Sequence, residues 1–345
     1  MRSFMSPTMA EATRLTRAGR LMEATAVLRG GPFDSRTIEG EAEEVTPPPP
    51  RFSFRSRQAP RPDAVSIPPG ARFLHADYAE AAGHRAYRLY IPASRRAEAA
   101  PLLVMLHGCT QSPEDFAAGT RMNELAEEHG LIVAYPGQPP SANPQKCWNW
   151  FKPGDQVRGH GEPALIAGIT RQVVRDHAID PARIFIAGLS AGGAAAAIMG
   201  QAYPDLYAAV GVHSGLACGA ARDIPSAFAA MNQGPAAASK GRPIRTIVFH
   251  ADRDTTVHPR NGDAVITQCG VAGLRVEVQR GRDGHGWQRT IHRDADGRAM
   301  LEQWVIEGGG HAWSGGSPAG SYTDPAGPDA SRAMLRFFLD GSREG

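Results

Sequence analysis

Lysine is almost missing from this sequence. Lys146, Lys152 and Lys240 are the only ones, and arginine carries nearly all the positive charge. The formal net charge is +2, with no basic block or stripe, which excludes the electrostatic footprint of a nucleic-acid or anionic-membrane binder. No apolar run approaches the ~20 residues of a transmembrane helix. The first thirty or so residues also lack the apolar stretch of a secretory signal, which by itself favours the cytoplasm. Cysteine is scarce: Cys109, Cys147, Cys218 and Cys269. None are paired at metal-ligand spacing, so a zinc knuckle is not expected. What is plentiful is apolar residue, 42% of the 345, enough for a large core in an α/β fold of one unit.

Three regions follow along the chain. Residues 1–30 read as an amphipathic helix or helical hairpin, Glu11 to Arg29, with Leu15, Leu21, Ala24, Val27 and Leu28 towards one side. Such a helix either packs on the main domain or docks a partner. Residues 31–70, with Pro47-Pro48-Pro49-Pro50 and few apolar side chains, cannot bury enough surface to offset ordering entropy and are expected to be a disordered linker. Residues 71–345 alternate strand and helix patterns. Arg72–Ala79 and His84–Pro92 read as an antiparallel pair. Short apolar runs at Leu102–Leu106, Leu131–Tyr135, Arg183–Ala187, Ala208–Val212 and Arg245–His250 suit strands buried on both faces. Helical patterns at Asp115–His129, Pro163–His177 and Ala191–Ala202 lie between them. Gln288–Arg293 and Leu301–Glu307 flank an Asp296-Gly297 turn as a hairpin, and Ala330–Leu339 closes the chain as a helix. The fold class is α/β, a mostly parallel sheet flanked by helices.

The chemistry begins where the Arg183–Ala187 strand runs into Gly188-Leu189-Ser190-Ala191-Gly192. A G-x-S-x-G between strand and helix is the signature of a nucleophile on a tight, strained turn, with glycines where side chains would clash. The helix that follows aims N–H groups and its dipole at the reacting centre. A serine hydroxyl needs a base, and on this architecture the partners follow in the order Ser, Asp, His. The loop after Thr246–Phe249 offers Asp254 and Asp252. Asp254 has the better spacing to Val257 and Pro259, and Asp252 is the competitor. Gly308-Gly309-Gly310 lets the chain turn so that His311 can reach back over Ser190. His285 and His292 read as surface residues. An oxyanion needs two backbone N–H donors. Ala191, after the nucleophile, supplies one, and Cys109, on the loop after Leu102–Leu106, is the candidate for the other. A thiolate role for Cys109 is the weaker rival. Acyl transfer through these groups calls for no metal or cofactor. Trp148, Trp150 and Phe151 sit on a loop at the strand ends, where aromatics can line a groove for an apolar ester chain.

From about Leu102 to Leu339 the chain resembles the polyhydroxybutyrate-depolymerase-like esterases of the α/β-hydrolase superfamily. The resemblance is carried by HGCTQ at His107–Gln111, CWNWF at Cys147–Phe151, GLSAGG around Ser190, the Asp254 loop and GGGHAWSGG at Gly308–Gly316. It implies hydrolysis of esters, including short-chain polyhydroxyalkanoates, without a cofactor, with feruloyl and acetylxylan esterases as relatives. It implies an extracellular setting, against the missing secretory stretch. It also favours a disulfide between Cys109 and Cys147. Cys218 and Cys269 are left as free thiols or a second pair. The partner expected is an ester substrate, polymeric or small. A non-catalytic polymer- or partner-binding protein on the same fold is the alternative of another class.

Overall fold

The computed structural model describes Val65 and residues 67–340 except 96, 97 and 237–239. Of the chain before them it describes only Glu11, Arg14, Leu15 and Val27. Contacts divide the chain into two units, Met1–Arg55 and Ser56–Gly345. In the first, all four described residues are helical, and Arg14 pairs with Glu11 one turn away at 2.6 Å. The rest of the expected Glu11–Arg29 helix, and nearly all of the expected linker, lie outside the described residues.

The second unit is built on a ten-stranded sheet in the order β1-β2-β4-β3-β5-β6-β7-β10-β9-β8. β1 (Arg72–Glu80) and β2 (Gly83–Ile91) form the antiparallel edge. The parallel centre consists of β3 (Ala100–Leu106), β4 (Ile132–Pro136), β5 (Ile179–Leu189), β6 (Ala209–His213), β7 (Thr246–Ala251) and β10 (Ala299–Glu307). β8 (Arg275–Asp283) and β9 (His285–Arg293) complete the far edge antiparallel.

The period-2 alternation of a strand buried on both faces is plain in β3. Leu102, Val104 and Leu106 enter one core with Ile166, Ile169, Ile198 and Met199. Leu103 and Met105 enter the other with Phe116, Leu125, Phe337 and Phe338. Helices α3 (Gly161–Asp176), α4 (Ala191–Ala202) and α6 (Arg260–Gln268) supply the first core. The second is covered by α1 (Pro113–Thr120), α2 (Met122–His129) and α7 (Ala330–Asp340). α5 (Ile224–Gln233) carries a capping box at Asp223 and Ser226, and a small ladder pairs β11 (Trp313–Ser314) with β12 (Thr323–Asp324).

Three local readings are corrected. The single helix expected over Asp115–His129 is two. Ser112 caps α1 through the Asp115 N–H, and Arg121, in left-handed conformation at φ 55°, breaks the run before α2. β8 was not expected: its only large apolar residues, Val276 and Val278, are exposed, and an edge strand with an exposed face tolerates the charged sequence RVEVQRGRD. His292 is buried in β9, and His285 is half-buried with Nε2 at 2.9 Å from Asp324 Oδ2, so neither is a plain surface residue.

Candidate active site

The chain leaves β3 to form β4 on one side and then β5 on the other. The crevice between β3 and β5 is therefore the switch point of the sheet, where ligands bind in open α/β folds. The loops after β3, β5, β7 and β10 all emerge at this carboxyl end. They carry Cys109, Ser190, Asp254 and His311 respectively.

Ser190 stands between β5 and α4 at φ 57° and ψ −119°, a strained conformation for a residue with a side chain. Two backbone hydrogen bonds hold it there: its N–H donates to the His213 carbonyl at 2.9 Å, and its carbonyl accepts from the Ala194 N–H at 2.9 Å. The flanking glycines are required by close approach. A Cβ on Gly188 would strike the Gly192 carbonyl, and one on Gly192 would strike the carbonyls of Leu106 and His107. The end of β3 thus packs directly against the serine turn, and a Cβ on Gly108 would lie 3.6 Å from that of Ser190.

The loop after β3 is pinned from several sides. Gly108 N–H donates to Gln111 Oε1 at 2.8 Å, and Gln111 Nε2 donates to Asp115 Oδ2 at 3.0 Å. Asp115, fully buried, also accepts from Ser321 N–H at 2.8 Å and from the Ser321 hydroxyl. Cys109 is joined by a disulfide to Cys147. Among the described residues no carbonyl or side chain accepts from the N–H of Cys109 or of Ala191, and both belong to the segments that meet at the crevice.

Asp254 and His311 come together although 57 residues separate them. His311 Nδ1 lies 2.7 Å from Asp254 Oδ2. The other oxygen accepts from the N–H groups of Thr256 at 2.9 Å and Val257 at 2.8 Å. His250, on β7, stands behind the carboxylate with Nε2 at 3.4 Å from Oδ2 and 2.8 Å from the Val257 carbonyl. A carbonyl only accepts, so His250 carries its proton on Nε2. Burial by itself would raise the Asp254 carboxyl, but hydrogen bonds from His250, His311 and Val257 hold it far below the usual range. The carboxylate side chain is 0% exposed and the His311 imidazole 10%, so the pair opens to solvent only on the imidazole side. Asp252, by contrast, is exposed and caps the glycine turn by accepting from Gly308 N–H at 2.6 Å.

The aromatic loop departs from the sequence expectation. Trp148 is fully buried and its Nε1–H donates to the His107 carbonyl at 3.1 Å. Trp150 is buried too, edge-on to Phe151 at 5.8 Å. Both tryptophans anchor the loop to the core instead of lining a groove, and only Phe151 of the three is partly exposed. Glu162, at the start of α3, ties the same loop down by accepting from Asn149 N–H and Nδ2, both at 2.7 Å, and from Gln138 Nε2 at 2.5 Å. Cys218 and Cys269 are not disulfide-bonded. Gln111 lay within a motif that the sequence showed, whereas nothing in the sequence pointed to His213, His250 or Glu162.

Comparison with known proteins gives the family and the fold. Residues 85–271, more than half of the chain, match the family described as "Esterase PHB depolymerase". Poly(3-hydroxyalkanoate) depolymerase C of Paucimonas lemoignei is 32% identical over 237 residues, 64% of this chain and 57% of that protein. The chain therefore spans little more than half the length of that relative. Feruloyl esterase B of Thermothelomyces thermophilus is 29% identical over 233 residues, 61% of this chain and 78% of that one. The solved acetyl xylan esterase from Aspergillus awamori superposes with a TM-score of 0.57 at 21% identity, covering 74% of this chain and 94% of the other. The fold is that of the α/β-hydrolase esterases.

Proposed function

This chain belongs to the PHB-depolymerase esterase family, and we propose that it is a serine carboxylic-ester hydrolase working through an acyl-enzyme, with Ser190, His311 and Asp254 as its triad. The observation that carries the reading is the 2.7 Å contact between His311 Nδ1 and Asp254 Oδ2. An ionised carboxylate at that nitrogen keeps the proton on Nδ1. The Nε2 lone pair is then free to take the Ser190 hydroxyl proton as the oxygen attacks the ester carbonyl. Asp254 offsets the charge of the imidazolium so formed. The N–H groups of Cys109 and Ala191 receive the developing oxyanion. His311 returns the proton to the leaving alcohol, and water repeats the sequence on the acyl-enzyme.

Short-chain polyhydroxyalkanoate, as polymer or oligomer, is the proposed substrate class, supported by the 32% identity to a poly(3-hydroxyalkanoate) depolymerase. A feruloyl or acetylxylan ester is the second reading, favoured by the fuller coverage of the relatives so named. Residues 1–55 are proposed as an appendage outside the catalytic unit. Ser190→Ala should lower p-nitrophenyl butyrate hydrolysis by roughly 10⁴–10⁶-fold in a folded protein. A tenth of wild-type activity remaining would refute the mechanism. Rates on hydroxybutyrate oligomers, polymer film and methyl ferulate decide between the substrate classes.

A further inference from the structure

His213, the last residue of β6, belongs to none of the motifs above, yet it touches both halves of the site. Its carbonyl accepts the Ser190 N–H at 2.9 Å. Its ring Nε2 accepts the Ser314 N–H at 3.0 Å, three residues beyond His311. A backbone N–H only donates, so Nε2 carries no proton. The proton sits on Nδ1, which lies 3.1 Å from the Ser214 hydroxyl. Every polar atom of the imidazole is thereby used in one tautomer. The ring is fully buried and stacked between Phe249 at 5.7 Å and Trp313 at 5.0 Å. Burial, with His250 and His311 nearby, pushes its pKa down to about 3, so it keeps the neutral acceptor form across the working range of an esterase.

A slot between two aromatic rings would be filled by phenylalanine without any polar group to satisfy. Phenylalanine would, however, leave the buried Ser314 N–H without an acceptor. The Gly308–Gly310 run gives the His311 loop little stiffness of its own; Asp252 holds it before His311 through Gly308 N–H, Trp313 and Ser314 tie it to Ser331 and Pro328, and the Nε2 acceptor joins it to the central sheet. We propose that His213 is a positioning residue of the reaction, a single anchor that holds the nucleophile turn by its carbonyl and the base-bearing loop by its ring nitrogen. The proposal rests on the catalytic reading of Ser190 and His311.

Crossed substitutions separate positioning from packing. His213→Gln offers an amide oxygen near the position of Nε2 but loses the aromatic stack. His213→Phe keeps the stack and loses the acceptor. His213→Asn is a second acceptor-free control, too short to reach Ser314 and easier to accommodate than the larger ring. Each is assayed in full-length protein on p-nitrophenyl butyrate, with thermal unfolding to establish folding. Proton NMR follows the downfield signal of the His311–Asp254 hydrogen bond. His213→Phe and His213→Asn should lose about 10²-fold in kcat, the scale of an ångström-sized misplacement, with KM little changed and the downfield signal lost or broadened. His213→Gln should recover at least about tenfold of that loss. Wild-type kcat in either acceptor-free variant overturns the proposal, as does a His213→Gln variant no better than His213→Phe. Full activity in Ser190→Ala would instead overturn the catalytic reading and this proposal with it. An inactive Ser190→Ala beside an active His213→Phe overturns this proposal alone.

Discussion

Acidification to about pH 5 should destabilise this protein before most of its carboxylates are protonated. The perturbed groups are His107 and His213, both fully buried and both using Nε2 to accept a backbone N–H, from Gln138 at 3.1 Å and Ser314 at 3.0 Å. Protonating either ring removes that acceptor and puts an uncompensated charge in the core. Burial pushes His107 down to about 4 and His213 to about 3, whereas an unfolded imidazole titrates near 6.5. Between those values the unfolded chain binds more protons, so stability is complete above about pH 6.5 and falls as pH drops below it. At pH 5 each ring is about 1.5 log units into its window, and at 1.36 kcal/mol per unit the pair removes about 4 kcal/mol. That is a large part of the ~5–15 kcal/mol that stabilises a typical domain. Burial lowers His177 and His292 as well, which adds to the loss. Burial raises the Glu162 carboxyl, which offsets part of it. Urea unfolding at about pH 7.5, 6 and 5 measures the effect, and His213→Gln should remove about half of the pH dependence. An unfolding free energy flat to within about 1 kcal/mol over that range would refute the reasoning.

Asp254→Asn should cost roughly 10³–10⁴-fold in kcat by favouring the wrong His311 tautomer, while Asp252→Asn, whose amide oxygen can still accept from Gly308 N–H, should stay within about tenfold. The reverse ranking in folded variants would transfer the acid role to Asp252. Reduction of Cys109–Cys147, which closes 38 residues of chain, should lower unfolding stability by about 4 kcal/mol on loop-closure grounds. Equal urea midpoints with and without reductant would contradict that. A chain beginning at Ser56, the first residue of the second unit, should hydrolyse p-nitrophenyl butyrate at the full-length rate. A large loss in a folded truncation would place part of the active site in the first 55 residues.

Much of the sheet was legible because its strands are buried on both faces. A run such as Leu102–Leu106 has no polar side chain to blur it. β8 was not legible, because an exposed edge strand has little apolar content to betray it. The break at Arg121 was also missed: Gly119 stands two residues ahead of it, but the left-handed residue itself is an arginine, a type that seldom marks such a turn. In the candidate site, the Gly188 and Gly192 flanks of Ser190 are local demands of a tight turn pressed against β3, and local demands leave a trace in sequence.

Other features exist only through long-range contact. Nothing in residues 147–151 distinguishes an aromatic that faces a ligand from one that pins a loop. The choice was made by the His107 carbonyl, which takes the Trp148 N–H. Between two aspartates two residues apart, the sequence offered spacing alone. In the structure Asp254 faces the imidazole of a loop 57 residues away while Asp252 caps the turn that carries it. His213 had no signal of any kind, because its role depends on a neighbour 101 residues distant. The sequence determined the order of elements, the serine turn and the residue types available for acyl transfer, since these follow from local periodicity and backbone sterics. Only the tertiary structure decided which carboxylate meets the imidazole, which aromatics are buried and what fastens the base-bearing loop, since each depends on a hydrogen bond between segments far apart in sequence that the fold brings together.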